Sequence, residues 1–218
     1  MLYQNTHFAR AYFLAVAAIE ETGKAFLAFD GRGRKLTDTA ISKKLKQSME
    51  DHSTKITWAF APWLIASPDQ REIVTSLMNL MIHLKRGREP SMYTDIRPDS
   101  GQIQIPAEVV REKAARDCIR LANDCFSHTQ RHIADKSPHP RTRADDQLFA
   151  MKKGQLQRIA NTGDFWEYYL ARFELGKPDF AEAVVGYNET YIKSHRLFKP
   201  EGLGDIRLER TLHLTNRE

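Results

Sequence analysis

Ala17-Ala18-Ile19-Glu20-Glu21-Thr22-Gly23-Lys24-Ala25 sets two carboxylates and a lysine inside a helix that is otherwise apolar and small. The run Ala11 to Ile19 carries no charge, and Ala25 to Phe29 resumes the apolar pattern. Charges are solvated easily at a surface and at great cost in a core, where they need partners. The insertion therefore predicts a buried helix with a polar contact built into one side. Glu20 and Lys24 stand four apart with the acid N-terminal, the favourable orientation for a helical ion pair.

Outward from this stretch, periodicity near 3.6 dominates and no run of strand alternation stands out. The first helix is expected from about His7 to Phe29, ending at Asp30-Gly31 before a Gly- and Arg-rich turn. A second runs from about Asp38 to Phe60, with Pro62 kinking or ending it. Ser67-Pro68-Asp69-Gln70 has Ser at the N-cap, Pro at the first helical position and Gln at the third, a helix start. The helix it opens passes through Ile73, Leu77, Met81 and Leu84 and closes at Gly87 as a C-cap. An irregular stretch, Arg88 to Ile105, leads to a fourth helix from Pro106 to about Ile133. Four helices of bundle length make one all-α domain over residues 1–134.

Residues 135–218 read as a linker and a helical C-terminal extension packed on the bundle. The linker is proline- and charge-rich up to Arg143, and shorter helical patterns follow at about 146–160, 163–175 and 178–198. Aromatic density from Phe165 to Tyr191 supplies their packing, and the tail after Pro200 reads as an arm.

The 218 residues bury a substantial core, with 41% hydrophobic and 28% charged residues, ordinary for a globular protein. No apolar run approaches the roughly 20 residues needed to span a bilayer, and a signal-peptide layout is absent, so a cytoplasmic protein without membrane contact is expected. Cys118 and Cys125 lie seven apart on one predicted helix, too far to bridge, and read as small core hydrophobes. The net charge of +5 and pI near 9.2 permit an acidic partner such as RNA. The basic excess is densest at Arg32–Lys35, Lys43–Lys46 and Lys85–Arg88, either as solvated faces or as nucleic-acid contacts.

Stepping 100° per residue along the second helix places His52 near the middle of the stripe Ile41, Leu45, Met49, Ile56, Ala59, Phe60 and Trp63, with Asp51 and Lys55 toward its edge. A core-facing histidine needs a hydrogen-bond partner. Glu20 and Lys24 border the stripe of the first helix (Tyr12, Ala15, Ile19, Gly23, Phe26), so antiparallel packing would form a Glu20/Lys24/His52 cluster. Gly23 would let the neighbouring backbone approach. Such a cluster is either a general acid–base histidine with an orienting carboxylate and a lysine for phosphate, or a satisfied polar network that fixes helix register. No metal or other cofactor is expected, since the Glu-x-x-His pairs of carboxylate-bridged metal bundles are absent. Arg88, Tyr93 and Asp95 form a second candidate set for binding, carried on a loop.

Three blocks in this order, Ala-Ile-Glu-Glu-Thr-Gly-Lys-Ala (18–25), Asp-His-Ser-Thr-Lys (51–55) and Arg-Glu-Pro-Ser-Met-Tyr-Thr-Asp (88–95), resemble the AbiV family of abortive infection proteins. The resemblance covers roughly residues 1 to 130 and implies an HEPN-like four-helix bundle. It also implies antiphage defence by arresting growth or translation of the infected cell. Many HEPN proteins are metal-independent ribonucleases that use an Arg, four to six intervening residues and a His, paired across a homodimer. This chain departs from that pattern. After Arg111, Arg116 and Arg120 the next histidine is His128, too far along, and only Arg207 to His213 in the tail has the spacing.

Two functions follow as expectations. In one, the protein cleaves RNA, with His52 moving a proton, Glu20 orienting it, and Lys24 or Lys55 neutralising phosphate. In the other, it is a non-catalytic binding module that engages a phage protein or translation component through Arg88 to Asp95 and the basic faces. A homodimer is expected in either, because the far side of the first helix is apolar too (Leu14, Ala17, Ala18, Ala25, Ala28), and Glu21 points toward such a partner.

Overall fold

The computed structural model describes residues 1–67, 70–96, 100–134 and 136–194. The helices are α1 (Phe8–Gly31), α2 (Thr39–Glu50), α3 (His52–Ala59), α4 (Ala61–Ala66), α5 (Gln70–Arg88), α6 (Pro106–Val109), α7 (Glu112–Ile133), α8 (Arg143–Ala150), α9 (Lys153–Ala160), α10 (Gly163–Glu174) and α11 (Phe180–Tyr187). A 3₁₀ turn at Glu89–Ser91 follows α5, and a π-turn at Asn188–Ile192 follows α11. A small ribbon pairs β1 (Asp95–Ile96) with β2 (Ile103–Gln104), antiparallel, inside the stretch expected to be irregular. Strands of two residues are too short for alternation to show in the sequence. The fold is all-α, and among the described residues no helix is long and apolar enough to cross a membrane.

Two compact units make up the chain: Met1–Gly33 with Leu45–His139, and Arg34–Lys44 with the described residues from Pro140 onward. In the first, α1 is the central helix, packed most extensively on α7 and α3. Its pattern of small and branched residues is the reason. Ala11, Ala15, Val16 and Ile19 are buried in one core with Ile56, Ala59, Leu84, Ala115, Cys118 and Cys125. A fully buried Val, Ile or Leu side chain contributes about 1.5–3 kcal/mol. Both cysteines are free and buried, and burial pushes each thiol up to about 12. In the second unit Ile159, Phe165, Tyr168, Val184, Tyr187 and Tyr191 form the core.

The single helix expected from Asp38 to Phe60 is broken. Asp51 adopts an extended backbone (ψ 116°) and its side chain caps α3, accepting the Thr54 N–H at 2.7 Å. An aspartate at an N-cap satisfies a donor that a continuous helix would use internally. The chain stops again after Ala59, and Pro62 sits in the first turn of α4. Gly87 is not a C-cap: α5 continues through Arg88, and Gly87 lies where an added Cβ would overlap the Tyr12 hydroxyl. The fourth helix is also divided, because Val110 and Arg111 are extended between α6 and α7. Pro68 and Asp69 of the helix start at Ser67, the tail after Pro200, and the Arg207/His213 pair lie outside the described residues.

Candidate functional site

Gly23 determines how the site is assembled. A Cβ at this position would overlap the Lys55 carbonyl and lie 2.9 Å from the Ala59 nitrogen, so only glycine lets α1 and α3 meet at backbone contact. The paired residues advance together along both helices: Glu20 with His52 and Lys55, Gly23 with Lys55 and Ala59, Phe26 with Trp58. The two helices therefore meet in the same chain order, not in the antiparallel sense. One turn before Gly23, Glu20 is brought against the opening turn of α3.

Glu20 is 5% exposed and fully engaged. Its Oε2 accepts from His52 Nδ1 at 2.6 Å and from Lys55 Nζ at 3.0 Å. Its Oε1 accepts from Arg88 Nε at 2.6 Å. Arg88 Nη2 lies 3.4 Å from His52 Nε2, closing a ring of contacts among Glu20, His52 and Arg88. Burial on its own would raise the Glu20 carboxyl. The hydrogen bonds from His52, Lys55 and Arg88, with the Lys55 charge, outweigh it and hold the group below the usual carboxylate range. Glu20 is thus an anion held by donors from three side chains, His52, Lys55 and Arg88.

His52 is placed differently from Lys55. The Lys55 side chain is 8% exposed, while that of His52 is 53% exposed. The break at Asp51 explains this, since the helical phase carried from Leu45 does not pass through an extended residue. His52 becomes the first residue of α3 and sits at the rim of the cluster rather than mid-stripe. A Nδ1–H donated to Glu20 leaves Nε2 as the acceptor nitrogen, facing Arg88 Nη2 at 3.4 Å.

Lys24 is not part of the cluster. It turns outward and pairs with Glu21 at 3.3 Å, both side chains well exposed. Tyr93 is 59% exposed, and Asp95 is exposed on β1, accepting the Ile96 N–H. Arg88, expected as part of the loop set with these two, ends α5 and belongs to Glu20 instead. A usable signal existed: one buried carboxylate needs several donors, and the long Arg88 side chain closes a helix lined with core residues. Among the described residues no group of three or more His, Cys, Asp or Glu side chains is arranged to hold a metal ion.

Comparison with known proteins agrees with this geometry in its extent. The family model described as AbiV matches residues 1–127, the part of the chain that contains Glu20, His52, Lys55 and Arg88. Searches of curated proteins and of solved structures give no match. With more than half of its length matched, the chain belongs to the AbiV family of the HEPN superfamily, the abortive-infection proteins.

Proposed function

We propose that this protein arrests the infected cell by cleaving RNA without a metal, at the cluster of Glu20, His52 and Arg88. One observation carries the reading: His52 is held through Nδ1 by a buried carboxylate at 2.6 Å while its side chain is half exposed and its Nε2 faces the Arg88 guanidinium at 3.4 Å. This is the arrangement of an oriented general base next to a charge that stabilises a developing anion. A network serving only to fix helix register would have no need of an exposed imidazole edge.

In the proposed step, Arg88 Nη2 exchanges its long contact with His52 Nε2 for the phosphate, and His52 Nε2 takes the proton of a ribose 2′-hydroxyl. The 2′-oxygen attacks the adjacent phosphorus, the bond to the 5′-oxygen breaks, and that oxygen leaves with a proton from solvent. The products are a 2′,3′-cyclic phosphate and a 5′-hydroxyl. Arg88 offsets charge on the non-bridging oxygens. Lys55, buried against Glu20, keeps that carboxylate ionised and has no access to phosphate. A homodimer fits this reading, because Leu14, Ala18, Ala25 and Ala28 lie exposed along one side of α1.

A specific observation favours the second reading, docking of a phage protein or translation component without catalysis. Ile96 and Ile103 pair across the ribbon and are 62% and 67% exposed, close in sequence to the exposed Tyr93. Inducing wild type and His52→Ala side by side separates the two. RNA cleavage predicts fragmented total RNA and growth arrest with wild type only, at equal protein levels. Intact RNA during arrest by wild type would leave docking as the explanation.

A further inference from the structure

The run Lys85-Arg86-Gly87-Arg88 closes α5, and its last residue, Arg88, serves the cluster at Glu20. Lys85 has a place of its own. Residues three apart on a helix are neighbours on one face, so Lys85 stands about 4.5 Å before Arg88 along the axis, on the same side of α5. Both meet α3, which runs in the opposite sense. His52 Nε2 lies 3.4 Å from Arg88 Nη2, and Thr57, further along α3, meets Lys85. Gly87 seats this last turn of α5, since an added Cβ would overlap the Tyr12 hydroxyl of α1.

Lys85 is tethered by neutral groups. Its Nζ donates to Thr57 Oγ1 at 3.0 Å, and that hydroxyl donates in turn to the Ser53 carbonyl at 2.9 Å. The Asp51 carboxylate lies within electrostatic reach of Lys85, yet caps α3 through the Thr54 N–H at 2.7 Å and forms no ion pair with it. An ammonium has three donors, and the bond to Thr57 uses one. A cation in the last turn of a helix is favoured by the helix dipole. That accounts for a lysine at this position and not for its tether to α3. The tether fixes a positive charge one turn from Arg88, beside the rim where His52 is half exposed.

We infer that Lys85 holds a second phosphate, the neighbour of the one placed at Arg88 and His52. The substrate is then an RNA strand cut internally, with a phosphate adjoining the scissile bond, rather than an isolated dinucleoside monophosphate. The inference rests on the proposed cleavage at Glu20, His52 and Arg88. Lys85 takes no part in the bond changes. It sets the register of the strand, so that one 2′-hydroxyl stands before His52.

The test compares cleavage, by the full chain, of a dinucleoside monophosphate and of the same compound with a further phosphate at its 5′ or 3′ end. In wild type one extended compound is expected to show kcat/KM about tenfold above the parent, mainly through KM, as one charge-assisted contact would give. Lys85→Ala is expected to erase that difference, and Lys85→Arg to restore it. A second measurement needs no cleavage: binding of single-stranded DNA, which lacks the 2′-hydroxyl, against salt concentration. Each phosphate contact contributes about 0.7 to the slope of log K against log salt for single strands, so Lys85→Ala should be shallower by about 0.7. Equal cleavage of all three compounds by wild type, an advantage that survives Lys85→Ala, or equal salt slopes in the two proteins would overturn the inference. No cleavage by wild type, with a slope that still falls in Lys85→Ala, would instead remove the proposed reaction and leave the phosphate contact standing.

Discussion

Glu20 and Glu21 are neighbours on α1, and both meet cations. Glu20 is buried among His52, Lys55 and Arg88, drawn from α3 and α5. Among the described residues Glu21 pairs with Lys24 of its own helix, with the lysine 45% and the glutamate 64% exposed. The difference teaches that an ion pair's meaning lies in its solvent and not in its sequence spacing. A surface pair contributes about 0–1 kcal/mol, whereas removing one member of a buried set costs about 3–5 kcal/mol. The favourable Glu20 to Lys24 spacing is not used at all, because the buried carboxylate takes partners that come already desolvated from other helices.

The comparison can be broken most forcefully at Glu20 itself. Glu20→Ala leaves Lys55 and Arg88 buried without a counter-charge and is expected to cost about 3–5 kcal/mol in denaturant unfolding, against about 0.5 kcal/mol or less for Glu21→Ala. Equal costs would erase the distinction. Gly23→Ala should follow closely, at about 3 kcal/mol, the upper end of overpacking costs, because the atom it meets is backbone that cannot rotate away. A mild result would mean that α1 and α3 do not touch there.

Acid sharpens the same contrast. The Glu20 carboxyl is held below its ordinary value of 4.5, so its contribution is fully present above that pH and is lost as pH falls through the lower folded value. Melting temperature measured against pH should fall more steeply below about 4.5 for wild type than for Glu20→Gln, which has no such proton to gain. Parallel curves would contradict an ionised Glu20. The smallest effect belongs to the outer pair: Lys24→Ala should change stability by about 0.5 kcal/mol or less, and less still at high salt.

Much of the fold was legible in the pattern. The all-α class followed from helical periodicity, and the buried side of α1 is the stripe Tyr12, Ala15, Ile19, Gly23, Phe26. The breaks at Asp51 and at Val110–Arg111 were hidden, because helical phase continues on paper through an extended residue, whether its side chain caps the next helix, as that of Asp51 does, or not. That one break explains why His52 sits at the rim and not in the core. Gly87 reads equally well as a C-cap or as a packing glycine until Tyr12 is seen beside it. The meeting of Glu20 with His52 could be argued from helix faces. The arrival of Arg88, 68 residues along, could not, since it depends on how α5 ends against α1. Arg34 carries a similar lesson: its place in a run of basic residues suggested either a solvated face or a nucleic-acid contact, yet its side chain is 6% exposed and bound to Asp146.

The exposed edge of His52 is what separates a working site from a structural lock, and purified protein tests it most directly. Wild type and His52→Ala would be incubated with a defined RNA in the presence of a chelator, with end-group analysis of the products and melting curves on the same samples. Wild type should leave 2′,3′-cyclic phosphate ends, and His52→Ala should lose about two orders of magnitude or more in rate, the usual contribution of a general base, while melting within a few degrees of wild type. Cleavage undiminished in His52→Ala, or no cleavage by well-folded wild type, would contradict the assignment of this cluster as a ribonuclease centre.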